Sequence, residues 1–254
     1  MSDAISLSQN APPQTVAPAD AMPPAPADAL DVGGFVPMST VDWPDRLAAV
    51  VFVQGCPWRC HYCHNPGLQP RCAHPAHGWA RVLETLQARQ GLLDGVVFSG
   101  GEPTLDRALI PAIRQVRVMG FEVGLHTAGL YPERLAECLP LVDWVALDVK
   151  TDFDDYKAIT AVPRSGDPVR ACLDLVLASG KPHELRTTWH PDLISDTMLM
   201  RLARRLKAAG ARRWVLQSYR ATPSTEASLG TGVRTPPDEL VDRLRRTGLD
   251  LMVR

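Results

Sequence analysis

Ala48-Ala49-Val50-Val51-Phe52-Val53-Gln54-Gly55-Cys56-Pro57-Trp58-Arg59-Cys60-His61-Tyr62-Cys63-His64-Asn65-Pro66 joins an unbroken apolar run to a loop holding three thiols at C-x3-C-x2-C spacing. A short, continuously apolar, β-branched run reads as a strand buried on both faces, the kind found in parallel sheets. Thiolates are soft ligands, and three so close together suit zinc, Cu(I) or an iron–sulfur cluster. A [4Fe–4S] cube held by Cys56, Cys60 and Cys63 keeps one iron free of protein ligands, open to a small molecule. A structural zinc ion would need a fourth ligand, for which His61, His64 and Cys72 are the nearby candidates. Zinc knuckles favour C-x2-C pairs, so the x3 spacing points to the redox cluster.

Outward from this stretch, strand and helix signals alternate. Strands are expected at Ala48–Gln54, Gly95–Ser99, Phe121–His126, Trp144–Val149, Glu184–Trp189 and Arg213–Gln217. Helices are expected at Trp79–Gln90, Asp106–Met119, Pro132–Cys138, Asp196–Ala209 and Pro237–Arg246, with a helical region over Asp152–Ser179 broken near Pro163-Arg164-Ser165-Gly166. Leu249–Val253 is either one more strand or an edge cover. Apolar strands separated by helices imply a parallel sheet covered on both faces, with right-handed crossovers. Six strands are clear and eight are not, so a partial (β/α)6 barrel over residues 33–254 is the expected fold. Residues 1–32, rich in Pro and Ala, lack the apolar content to offset ordering entropy and read as a disordered tail. Ser39-Thr40-Val41-Asp42-Trp43-Pro44 reads as a turn-rich lead-in to the first strand.

The chain has 254 residues, is 45% hydrophobic and carries a formal net charge of -1, which gives no sign of a nucleic-acid or membrane surface. Without a spanning apolar run or a signal-peptide pattern it is expected to be soluble and cytoplasmic. Of its six cysteines, Cys72, Cys138 and Cys172 are scattered, too few for a second four-thiolate cluster. Cys138 and Cys172 read as small core residues. Cys72, His74 and His77 make a C-x-H-x2-H group that reads as an exposed loop, with a second metal as the alternative. Arg201, Arg204, Arg205, Lys207, Arg212 and Arg213 read as a solvated basic face, with docking of an acidic electron donor as the alternative.

Each expected strand ends in polar or glycine-rich residues, which in parallel folds share one rim. Gly100-Gly101-Glu102-Pro103 follows the second strand; its glycines let backbone approach a ligand closely, and its carboxylate suits a ligand ammonium. His126-Thr127-Ala128-Gly129 follows the third. Asp148 and Lys150, two apart on the fourth, point the same way. Arg186 and His190 lie on and after the fifth, and Gln217-Ser218-Tyr219 ends the sixth.

The cysteine motif, with Tyr62 before its last thiol, resembles the signature of radical S-adenosylmethionine (SAM) enzymes. Ser39–Pro44, Gln54–Pro66, Phe98–Thr104, Asp148–Lys150 and Arg186-Thr187-Thr188-Trp189-His190-Pro191 together resemble the anaerobic ribonucleoside-triphosphate reductase activating proteins. That resemblance implies a [4Fe–4S] cluster on Cys56, Cys60 and Cys63 with SAM on its open iron. It puts Tyr62 and His64 at the adenine, Gly100, Gly101 and Glu102 at the amino group, and Asp148 and Lys150 at the ribose and carboxylate. Thr127 and Arg186 complete the set. It further implies an electron from a flavodoxin or ferredoxin, a 5′-deoxyadenosyl radical, and a glycyl radical left on the reductase. The sister pyruvate formate-lyase activases have Asp-Thr-Asn-Gly where this chain has His126–Gly129, and a histidine where it has Arg220; the carboxylate a cation would use there is missing. The alternatives are a deazaguanine synthase-like enzyme, an activase of another glycyl radical enzyme and, from a different class, a zinc-binding interaction protein.

Overall fold

The six apolar runs form the parallel strands of a nine-stranded sheet, seen in a computed structural model that describes residues 25–71, 76–222 and 229–254. The strands are β1 (Val32–Ser39), β2 (Ala48–Val53), β3 (Gly95–Gly100), β4 (Glu122–Thr127), β5 (Trp144–Asp148), β6 (His183–Trp189), β7 (Arg213–Arg220), β8 (Val233–Arg234) and β9 (Asp250–Val253). β2 to β7 run parallel in chain order; β1 adds antiparallel to β2, β8 antiparallel to β7, and β9 parallel to β7. Among the described residues no ladder joins β1 to β8 or β9, so the barrel is partial and open there. The helices are α1 (Trp79–Gln87), α2 (Leu109–Val118), α3 (Pro132–Cys138), α4 (Lys157–Thr160), α5 (Gly166–Ala178), α6 (Asp196–Ala208) and α7 (Asp238–Arg245). Gly166, which opens α5 after the break, packs where no side chain fits: a Cβ there would lie 2.0 Å from the Phe153 carbonyl oxygen.

Three differences from the sequence reading stand out. β1 is a strand, although Gly33, Gly34 and Pro37 weaken its pattern; only Val32 is buried and Val36, Pro37 and Met38 are exposed, as befits an edge. The two-residue β8 carries no readable periodicity. The disordered-tail reading reached to residue 32, but a 3-10 turn at Ala27–Ala29 leads into buried Leu30 and Val32, which join the main core. Residues 1–24 lie outside the described residues, as do Cys72 and His74. His77 is exposed, and its N–H bonds the Val32 carbonyl. Cys138 and Cys172 are core residues. The basic run on α6 is partly a structural tie: Arg201 pairs with Asp152 and Asp155, and Arg205 with Asp152 and Asp154, fastening α6 to the segment after β5.

Period-two alternation gives the sheet two cores. Ala49, Val51, Val53, Val96, Phe98, Val123, Leu125, Val145 and Leu147 face the helices. Ala48, Val50, Val97, Trp144 and Ala146 face inward and close on Trp43. The Trp43 and Trp144 indoles stack at 5.6 Å and 16°. Gly95 and Gly124 make room, since a Cβ on either would come within 2.9 Å of the Trp43 ring. The stretch expected to be a mere lead-in therefore carries the floor of the barrel. His126 completes that floor, edge-on to Trp144 at 5.5 Å, with Nε2 2.8 Å from the Asp42 carbonyl and Nδ1 3.2 Å from Ser99 Oγ. A carbonyl only accepts, so Nε2 carries the proton and Nδ1 receives the serine hydroxyl.

Two stability measurements check this floor. Trp43→Ala removes a buried indole that its neighbours cannot replace and is expected to cost about 3–5 kcal/mol in urea unfolding. Burial and the nearby Arg186 charge push the His126 pKa down to about 3. The unfolded chain then binds a proton that the folded chain refuses, so stability falls as pH drops below the ordinary histidine value. The expected loss from pH 7 to pH 5 is up to about 2 kcal/mol, present in the wild type and absent from His126→Gln.

Candidate active site

The cysteine loop is hung from backbone contacts. Gly55 N–H bonds the Leu68 carbonyl and Cys56 N–H that of Gln69, both at 2.8 Å, while the Gln54 side chain donates to the carbonyls of Gly67 and Pro70. On the other side, Arg59 and His61 N–H groups reach the carbonyls of Thr160 and Ile159. Arg59 folds back to donate to the carbonyls of Cys56 and Trp58. Trp58 is buried beneath the loop, edge-on to Tyr156 at 5.9 Å. Sequence reasoning passed over Arg59 and Trp58, whose supporting roles have no spacing signal.

Gly100, Gly101 and Glu102 sit beside this loop. A Cβ on Gly100, which has φ of 120°, would lie 2.4 Å from both N and O of Val53; one on Gly101 would lie 2.4 Å from the Gly55 carbonyl oxygen. The glycines are needed first for strand-to-loop contact. Glu102 differs from expectation. Its side chain, read as facing a ligand ammonium, is fully buried and turned inward. It accepts from Thr104 N–H (3.2 Å), Thr104 Oγ1 (2.5 Å), Thr127 Oγ1 (2.7 Å) and Ala128 N–H (2.8 Å). Burial raises its pKa although all four bonds favour the anion. The carboxylate thus fastens the end of β3 to the end of β4.

Above this framework lies a cleft of about 820 Å³. Cys56, Cys60, Cys63, Tyr62, His64, Gly100, Gly101, Thr127, Asp148, Lys150 and Arg186 all line it; Glu102 does not. Lys150 Nζ is 3.2 Å from Asp148 Oδ2 and 5.6 Å above the Tyr62 ring, which links the end of β5 to the cysteine loop. Burial opposes the Asp148 charge, but Lys150 and Arg186 outweigh it and hold the pKa below the usual carboxylate value. His64 bonds the Arg220 backbone across the opening. His190 lies away from the cleft, buried, with Nε2 3.0 Å from the Leu229 carbonyl. Residues unanticipated at the cleft include Glu184 and Arg254.

Among the described residues no three His, Cys, Asp or Glu side chains form a single-ion site. The three thiols of Cys56, Cys60 and Cys63 follow one another on one loop, a soft donor set of the kind an iron–sulfur cluster takes. Burial pushes the Cys56 thiol up to about 11 and raises Cys60 as well, so ligation would exchange a held proton for iron.

A sequence profile of the radical SAM superfamily matches residues 50–193. A Methanocaldococcus jannaschii protein described as a glycyl-radical enzyme activating enzyme is 33% identical over 185 residues, 69% of this chain and 75% of that one. The pyruvate formate-lyase-activating enzyme of Streptococcus mutans is 30% identical over 184 residues, 66% and 68% of the two chains. Among solved structures, a radical SAM methyltransferase from Sphaerobacter thermophilus superposes with a TM-score of 0.63 at 20% identity, over 84% of this chain and 67% of that one. At that identity it bears on the fold alone, and the fold is the same. No helix among the described residues is long and apolar enough to cross a membrane. With the three thiols, the Asp148–Lys150 pair and the open parallel sheet in place, this chain belongs to the radical SAM superfamily and, within it, to the glycyl-radical enzyme activating enzymes.

Proposed function

We propose that the enzyme this chain activates is anaerobic ribonucleoside-triphosphate reductase, on which it installs a glycyl radical. The reading rests on the likeness of Ser39–Pro44, the cysteine loop and Arg186–Pro191 to the activating proteins of that reductase. The observation that carries it is one cleft that takes in three thiols and the Asp148–Lys150 pair, in a barrel unclosed between β1 and the β8–β9 edge. Such an opening would let a peptide loop from a large partner reach the cleft.

A [4Fe–4S] cluster and SAM, given an electron from a flavodoxin or ferredoxin, supply the hydrogen-abstracting chemistry. The chain's own groups bind and orient. Cys56, Cys60 and Cys63 hold the cluster, and Tyr62 and His64 border the adenine. Gly100 and Gly101 present backbone to the methionyl amino group, with Thr127 beside them. Lys150 and Asp148 serve the carboxylate and ribose, and Arg186 binds an acceptor oxygen of SAM. Glu102 acts from below by fixing Thr127 and Ala128. The apolar floor of Trp43 and Trp144 limits water beneath the reacting atoms.

The test is anaerobic reconstitution followed by mixing with SAM, a reductant and the purified reductase. The expected result is a protein containing iron and acid-labile sulfide that cleaves SAM and leaves a glycine-centred electron paramagnetic resonance doublet on the reductase. Cys60→Ala should lose the cluster and the cleavage together. A doublet on pyruvate formate-lyase but not on the reductase would reassign the target.

A further inference from the structure

The far wall of the cleft carries an alternating string of charges across β5, β6 and β9. Lys150 pairs with Asp148, Asp148 faces Arg186, and one oxygen of Glu184 accepts from both Arg186 Nε (2.9 Å) and Arg254 Nη2 (3.0 Å). Register brings Asp148 and Arg186 side by side on adjacent strands. Three cations therefore share two carboxylates, and the wall holds one positive charge more than it neutralises.

That excess is left uncompensated at Arg186. Its guanidinium lies 5.1 Å over the Trp144 ring, and the residue is 7% exposed. Nη2 is buried without a partner. Nη1 has only His126 Nε2, at 3.4 Å, and that nitrogen already donates its proton to the Asp42 carbonyl. It has nothing with which to accept. The guanidinium is thus held by one edge, and its two terminal nitrogens meet no acceptor among the described residues. A buried cation left so costs stability unless a ligand completes it.

We propose that Glu184 is a positioning residue, holding Arg186 by its Nε edge so that both terminal nitrogens are presented to an acceptor oxygen of bound SAM. This rests on the reading of the cleft as a SAM site and adds to it a residue acting wholly through Arg186. Glutamine at 184 keeps the size and one acceptor oxygen but drops the charge that two arginines share, and the guanidinium is no longer fixed.

A double-mutant cycle on the cluster-loaded enzyme, with SAM as probe in equilibrium dialysis and in reductive cleavage, tests it. Glu184→Gln should weaken SAM binding at least tenfold and raise the KM for SAM. Iron content and kcat at saturating SAM should stay within twofold of wild type, while the thermal midpoint falls because two arginines lose their shared carboxylate. Arg186→Gln should weaken binding by as much or more, and adding Glu184→Gln to it should cost nothing further. Independent, multiplying losses would overturn the proposal, as would a Glu184→Gln enzyme with unchanged affinity. If Glu184→Gln does not take up iron, Glu184→Asp runs the same cycle: a smaller loss, again absent beside Arg186→Gln, is expected, and a loss that persists there refutes it. A wild-type enzyme full of iron and sulfide that fails to bind SAM would instead refute the parent reading of the site.

Discussion

A carboxylate buried to zero exposure sets the geometry on which this site depends. Glu102 gathers donors from its own turn (Thr104) and from the end of β4 (Thr127 and Ala128). The two glycines before it let the same turn lie against Val53 and Gly55 at distances that no side chain would permit. The cysteine loop, the end of β3 and the end of β4 are thereby made one body. Leaving any of the four donors without an acceptor would cost about 1–3 kcal/mol, so the assembly resists partial loosening. The anion itself is disfavoured by burial, and the donors are what make it tolerable.

The interior divides by height. Its floor is apolar and aromatic, built on Trp43 and Trp144, and its upper wall is ionic, built on Lys150, Asp148, Arg186 and Glu184. His126 stands at the boundary with its tautomer fixed by a carbonyl and a hydroxyl. Over a dry floor, charges act through a low effective dielectric, so the orientation of each guanidinium and ammonium matters more than it would at a surface. Excess positive charge can be held ready there because each carboxylate is already shared.

Local pattern was enough to locate the strands that build the sheet and the thiols that mark its mouth. Continuous apolar runs such as Val50–Val53 and Val96–Phe98 have only one reasonable fate in a chain that alternates with helices. β1 escaped because Gly33, Gly34 and Pro37 are poor strand residues, tolerated only where one edge is free. Trp43 looked like part of a turn because its use depends on Gly95 and Gly124, more than fifty residues away in sequence. The motif around Glu102 was legible, but whether a carboxylate points into a cleft or beneath it is decided by the neighbouring strand. Glu184 and Arg186 are visibly two apart; Arg254, which shares the carboxylate, reaches it only through the β7–β9 pairing.

An unclosed barrel has two free strand edges, and edges invite pairing with other chains. Here each is poor at it. β1 carries Pro37, which lacks an N–H, and its pairing with β2 is interrupted between Val36 and Ser39. β8 is two residues long. Val36, Met38 and Val41 on one side and Met252 on the other remain exposed around the opening. Such an edge rejects a continuous ladder while keeping apolar side chains available. Among the described residues the gap between β1 and the β8–β9 edge is therefore left unpaired by any strand.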